Sequence, residues 1–148
     1  MDTIEKASKY FSEGFNCAQA VFCAIAEQYG LDKETALKIA SGFGGGMGRM
    51  QKTCGAVTGA ILAIGYIRGY HHPEAGAEKE ITYALTRELL ERFTQLHATT
   101  ECSELLGQSL MTEEGKACIK ELNLTESVCS NCVKDAVILA EDLIRNGL

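Results

Sequence analysis

Apolar residues recur at helical spacing along most of this chain, and polar or glycine-rich breaks separate the periodic runs. Ile4, Ala7, Ser8 and Phe11 share one face of a predicted helix from about Thr3 to Glu13, which Gly14 stops. Asn16 caps a second, with Cys17, Ala20, Val21, Ala24 and Ile25 on one stripe, running to Gly30. Asp32 starts a third, Lys33 to Ala40, which ends in the glycine-rich stretch Ser41 to Arg49, too glycine-rich for regular structure.

From Thr53 to Ile67 no polar face remains, which predicts a central buried helix; Gly55, Ala56, Gly59, Ala60 and Ala63 keep it thin enough for close neighbours. Gly69 to Gly76, with Pro73, reads as a turn. Ile81, Leu85, Leu89, Phe93 and Leu96 then mark the buried face of a long amphipathic helix to about Ala98, with Glu80, Arg87, Glu88, Glu91 and Arg92 on the wet side. Further helices are expected over Glu101–Leu106, Glu113–Glu121 and Ser130–Arg145. No segment alternates as a strand would, and no linker or repeat divides the chain. The prediction is an all-α, single-domain bundle over residues 1–148, with seven or eight helices around the helix at about 53–67.

Composition narrows the function classes. A chain of 148 residues that is 46% hydrophobic can bury one core. Twenty acidic against fourteen basic side chains give a net charge of −6 with no basic cluster, so nucleic acid is not an expected partner. The N-terminus lacks the order of a signal peptide, and the longest uncharged apolar run, Thr53 to Ile67, is short of the ~20 residues a spanning helix needs. A cytoplasmic protein without a transmembrane segment is expected. Its seven cysteines, an odd and large number for the length, then point to metal binding or catalysis more than to a disulfide framework. His71 and His72 are neighbours on a turn, where their side chains are expected to diverge, and His97 stands alone near a helix end; surface roles are expected for all three.

Four cysteines share a type of position. Cys54 falls at the first turn of the predicted central helix, where free amide N–H groups and the helix dipole favour a thiolate. Cys17 directly follows the cap Asn16, Cys102 follows Thr99-Thr100-Glu101, and Cys129 follows the polar break Thr125-Glu126-Ser127. Cys129 and Cys132 form Cys-x-x-Cys, a spacing used by redox dithiols and by metal sites. Cys23 reads as core, and Cys118 sits on a polar helix beside Lys116. The glycine stretch lacks Gly-Lys-Ser/Thr and a preceding strand, so it is no nucleotide loop; Gly44, Gly45 and Gly46 either bring backbone amides to a sulfur site or simply let the chain pass between helices.

These residues resemble the C_GCAxxG_C_C family, named for four separated cysteines and a Cys-Gly-Ala-x-x-Gly motif. The motif stands here as Cys54-Gly55-Ala56-Val57-Thr58-Gly59. The likeness continues through Gly14 to Ala20, Ser41 to Arg49 and Cys102-Ser103-Glu104-Leu105-Leu106-Gly107, and it assigns the fourth cysteine to Cys129, followed by Val133-Lys134-Asp135-Ala136. Cys118 and Cys132 are extra to the pattern. The resemblance implies redox activity. A similar domain joined to haem-bearing segments occurs in split-Soret cytochromes beside an iron–sulfur centre, but this chain has no Cys-x-x-Cys-His for covalent haem.

Three readings remain open from the sequence. One is thiol–disulfide exchange with an unidentified redox partner protein, Cys54 attacking and Cys17, Cys102 or Cys129 resolving. The second is an electron-transfer or sensing module with a [2Fe–2S] cluster on Cys17, Cys54, Cys102 and Cys129, its sulfurs hydrogen-bonded by the glycine-loop amides. The third is a zinc site, drawing Cys118 and Cys132 in with Cys102 and Cys129, or a purely structural helical protein. The thin central helix and the long amphipathic helix suit a monomer or a homodimer.

Overall fold

The computed structural model describes residues 1–148 and is all-α, as the periodicity predicts. It comprises α1 (Thr3–Ser12), α2 (Cys17–Glu27), α3 (Lys33–Ala40), α4 (Gly55–Arg68), α5 (Ala77–His97), α6 (Cys102–Leu106), α7 (Glu113–Glu121) and α8 (Ser130–Asn146). Side-chain caps start several of them, Asn16 and Asp32 as the sequence marks and Asp2 and Thr112 in addition. Asp2, Asp32 and Thr112 each accept a hydrogen bond from the amide three residues on, and Asn16 makes a full capping box with Gln19. Each such cap contributes about 1 kcal/mol, which matters most for α3 and α7, short helices that cannot persist alone.

α2 and α4 form the centre, flanked by α1, α3, α5 and α8. Ala18 to Ala26 of α2 is buried, apart from half-buried Gln19, as are Cys54 to Ala60 leading into and along α4. The two helices touch backbone to backbone: a Cβ on Gly59 would lie 2.7 Å from the carbonyl oxygen of Ala18, and one on Gly55 would lie 3.2 Å from the Cβ of Cys17. Gly55 and Gly59, one helical turn apart, therefore let the start of α4 rest on the start of α2. α5 buries Leu85, Leu89 and Phe93, while Ile81 and Leu96, placed on the same stripe by sequence, are exposed.

Two predicted boundaries shift. The central helix begins at Gly55 rather than Thr53, because Thr53 is held extended in a lone antiparallel bridge with Glu101. Two hydrogen bonds of 2.7 Å, Cys54 N–H to Thr100 O and Cys102 N–H to Lys52 O, complete that tie. Ahead of α8, the break expected at Thr125–Ser127 is a π-helical turn, Thr125–Cys129, that runs into the helix without interruption. The helix beginning at Gly55 also emerges from the core at Gly65 and Tyr66, so only its first half is enclosed. No helix is long and apolar enough to cross a membrane.

Candidate functional site: a cavity walled by five cysteines

Between the starts of α2, α4, α6 and α8 lies a cavity of about 190 Å³ whose wall includes Cys17, Cys54, Cys102, Cys129 and Cys132. A larger open hollow between α1 and α8, of about 470 Å³, contains no cysteine and is lined mainly by charged and hydroxyl side chains. The cavity's floor is the main core; its far side is a small apolar cluster of Cys102, Leu106 and Ile119, with Leu110 and Leu124 against it. Gln51 fixes that side by donating to Gln108 O at 2.8 Å and accepting from Leu110 N–H at 2.9 Å.

Cys54 occupies the N-cap of α4, one position earlier than the first-turn place its spacing predicts, and is 6% exposed. The neighbouring Cys132 thiol, directed at the Cys54 sulfur, lowers its pKa from an ordinary 9.0 to about 7; burial opposes this, and the amides of Ala56 and Val57 assist it. That change corresponds to about 3 kcal/mol in favour of the thiolate. A helix dipole alone supplies about 0.3–1 kcal/mol, so the directed donors carry most of the effect. Cys132, 1% exposed, is pushed far up for the same reason: it holds its proton toward Cys54 and is itself buried.

A second pair repeats the arrangement. Cys17, the first residue of α2, is raised well above its ordinary value by its hydrogen bond with Cys129, then by burial. Cys129 is lowered by the Cys17 thiol against the cost of burial. Cys129 does not sit at a free helix N-terminus, as the sequence implied, but ends the π turn; the donor that lowers it is a thiol. Cys102 begins α6, is 8% exposed, and is pushed up to about 11 by burial and by the neighbouring charges of Cys54 and Cys129.

The glycine stretch supplies the remaining wall. Gly45, Gly46, Met47, Gly48 and Arg49 all have φ between 58° and 68°, a left-handed run that begins on glycine and carries Gly45, Gly46 and Arg49 to the cavity. Gly46 has no room for a side chain, since a Cβ there would lie 2.8 Å from the Cβ of Cys102. Gly44 does not line the cavity; it packs against Asn16, where a Cβ would come within 2.6 Å of the side chain.

The remaining cysteines and the histidines separate cleanly. Cys132, which lies outside the four-cysteine pattern, is the thiol beside Cys54. Cys118, also outside it, is half-buried on α7 and takes no part in the cavity. Cys23 is core, as expected, and donates to Glu27 at 3.2 Å. His71 and His72 do not diverge: their rings meet edge to face with centroids 5.4 Å apart. His97 is not a lone surface group but stacks on Phe93 and pairs with Asp135 at 2.8 Å, tying the end of α5 to α8.

All seven thiols are free, and no group of three or more His, Cys, Asp or Glu side chains is drawn together around one point as a metal ion requires. Four ligands on a single zinc do not fit that arrangement. Two close thiol pairs on one cavity do match the donor chemistry of a two-iron cluster, which takes two sulfurs per iron.

Residues 15–143 match the family model described as "Putative redox-active protein (C_GCAxxG_C_C)". The chain belongs to the C_GCAxxG_C_C family. No curated protein and no solved structure matches it. The family's Cys-Gly-Ala-x-x-Gly motif has a direct physical reading in this fold: Gly55 and Gly59 seat α4 on α2, and that contact sets Cys54 beside the start of α2.

Proposed function

We propose that this member of the C_GCAxxG_C_C family performs thiol–disulfide exchange, with Cys54 as the attacking thiolate and Cys132 as the resolving thiol. The observation that carries the reading is the opposite displacement of two adjacent thiols, Cys54 down to about 7 and Cys132 upward, on one cavity. Near neutral pH such a pair holds one thiolate ready and one proton in reserve.

In the exchange, the Cys54 thiolate attacks one sulfur of a disulfide and the other sulfur leaves as a thiolate. Cys132 then loses its proton to solvent and attacks the Cys54 sulfur, forming Cys54–Cys132 and releasing the second thiolate. Two thiols are oxidised as one disulfide is reduced. Because Cys54 is 6% exposed, the electrophilic sulfur enters the cavity to react. The resolving thiol is thus Cys132 rather than Cys17, Cys102 or Cys129, which sequence alone favoured. Stoichiometric mild oxidation followed by peptide mapping tests this: Cys54–Cys132 is the expected first disulfide, and a first disulfide that omits Cys54 overturns the reading.

A second reading is favoured by the paired thiols. Cys17 with Cys129 and Cys54 with Cys132, with Cys102 beside them, are the donors that would hold a [2Fe–2S] cluster, which when bound supplies one-electron transfer. Anaerobic purification with iron and acid-labile sulfide assays separates the two. Stoichiometric iron and sulfide, with a visible absorption band, would sink the simple dithiol reading.

A further inference from the structure

We propose that the cavity is also a binding site for a small sulfur oxyanion, with thiosulfate as the fitting class, and that Cys54 takes up its outer sulfur as a persulfide. The inference rests on the reading of Cys54 as the nucleophile and names a substrate for it.

Three observations converge on an anion. The cavity wall contains no carboxylate in a protein of net charge −6, and its one cationic side chain is Arg49. Arg49 makes no ion pair; Arg87 also makes none but stands exposed on α5 away from the cavity, while Arg92 and Arg145 are each tied to carboxylates and Arg68 to the carbonyl of Ile144. The left-handed run also leaves amides free. The N–H groups from Met47 to Lys52 are all spent on carbonyls, but those of Gly45 and Gly46 have no acceptor in the protein. Gly46 is buried, so its orphan donor costs about 1–3 kcal/mol unless something in the cavity accepts from it.

Size and polarity narrow the class. About 190 Å³ has room for an ion the size of thiosulfate. The oxygens of such an ion suit the guanidinium and the two amides, and the soft outer sulfur suits a wall of thiols and leucines. Cys54 lies on the same cavity, so binding at Arg49 and Gly46 presents the outer sulfur to the thiolate.

The step balances without a further reagent. The Cys54 thiolate attacks the outer sulfur, the sulfur–sulfur bond of thiosulfate breaks, and its electron pair leaves with sulfite. Cys54 is left as a persulfide anion. A thiol acceptor then attacks the outer sulfur, leaving as its own persulfide and restoring the Cys54 thiolate.

The test uses the full, reduced chain with thiosulfate, reading sulfite release and, by mass spectrometry, gain of one sulfur atom on the Cys54 peptide. The same preparation is alkylated with iodoacetamide, an uncharged electrophile, and the rate is read on the Cys54 peptide. The expected result is one sulfite per chain and a sulfur adduct on Cys54. Arg49→Gln should lower the thiosulfate rate, relative to the iodoacetamide rate, about tenfold, and Arg49→Lys should restore much of it. An alkylatable Cys54 that takes no sulfur from thiosulfate overturns the oxyanion site and leaves the thiol reading standing. A ratio unchanged by Arg49→Gln also overturns the site. A Cys54 inert to both reagents overturns this inference and the thiol reading together.

Discussion

Cys54 and Cys23 are both buried, 6% and 0% exposed, yet their thiols are driven in opposite directions, to about 7 and about 12. Burial disfavours the thiolate in both. Cys23 lies inside α2, where its neighbours' amides are spent on the helix, and it donates to the Glu27 carboxylate, which repels a second negative charge. Cys54 stands at the start of α4, where a thiol and two unspent amides point at it. Burial leads the rise at Cys23 but is outweighed at Cys54, so the groups facing a buried thiol decide whether burial prevails.

The largest expected effect is the reactivity gap itself. At pH 8, native Cys54 should alkylate at least about a hundredfold faster than Cys23, even after allowing for the greater intrinsic nucleophilicity of the more basic thiolate. Equal rates, measured by peptide mapping against time, would erase the comparison.

The seat of α4 on α2 is the next place to break it. Gly59→Ala pushes a methyl to 2.7 Å from a backbone oxygen and should cost about 1–3 kcal/mol in urea unfolding. Gly65, on the same helix with open space around its would-be Cβ, provides the contrast: Gly65→Ala should stabilise by about 0.5–1 kcal/mol. Both variants destabilising equally would remove the packing account of the motif.

A smaller effect isolates the donor. Cys132→Ala removes the leading cause of the low Cys54 value, so its pKa should move back toward 9 and its alkylation rate at pH 7 should fall about threefold to tenfold. An unmoved profile would assign the whole effect to the Ala56 and Val57 amides.

The smallest effect sits at Cys23. Burial would raise Glu27, but hydrogen bonds from Tyr10 and Cys23 and the Lys6 ion pair hold it below the ordinary carboxylate range. A depressed carboxylate stabilises the fold above its unfolded pKa and loses that contribution as pH falls through its folded pKa. Glu27→Gln should thus lower stability near neutral pH by about 1 kcal/mol or less and flatten the acid limb of the unfolding curve. An unchanged acid limb would place that loss elsewhere.

Local features of this site were legible in sequence because local rules set them. Asn16 and Asp32 are cap signals, and Thr53-Cys54-Gly55 after a glycine run reads as a helix start to within two residues. The position of Cys132 was not legible, because the contact joins two helices that are remote in sequence and its direction depends on the phase of α8. The π turn at Thr125–Cys129 shifts that phase, and no residue there announces it. The left-handed run was visible as glycines, but Met47 and Arg49 share its conformation against their own preference, and only the fold fixes which amides stay free. His97 looked solitary because its partner, Asp135, comes from another helix.

Whether Cys54 is a thiolate at neutral pH decides the chemistry of the cavity. Its alkylation rate in the native, reduced chain, followed by mass spectrometry from pH 5 to pH 10, measures this directly. The predicted profile rises to half its plateau at about pH 7 and is flat above pH 8. A rate still climbing through pH 9, the behaviour of an ordinary thiol, would contradict it.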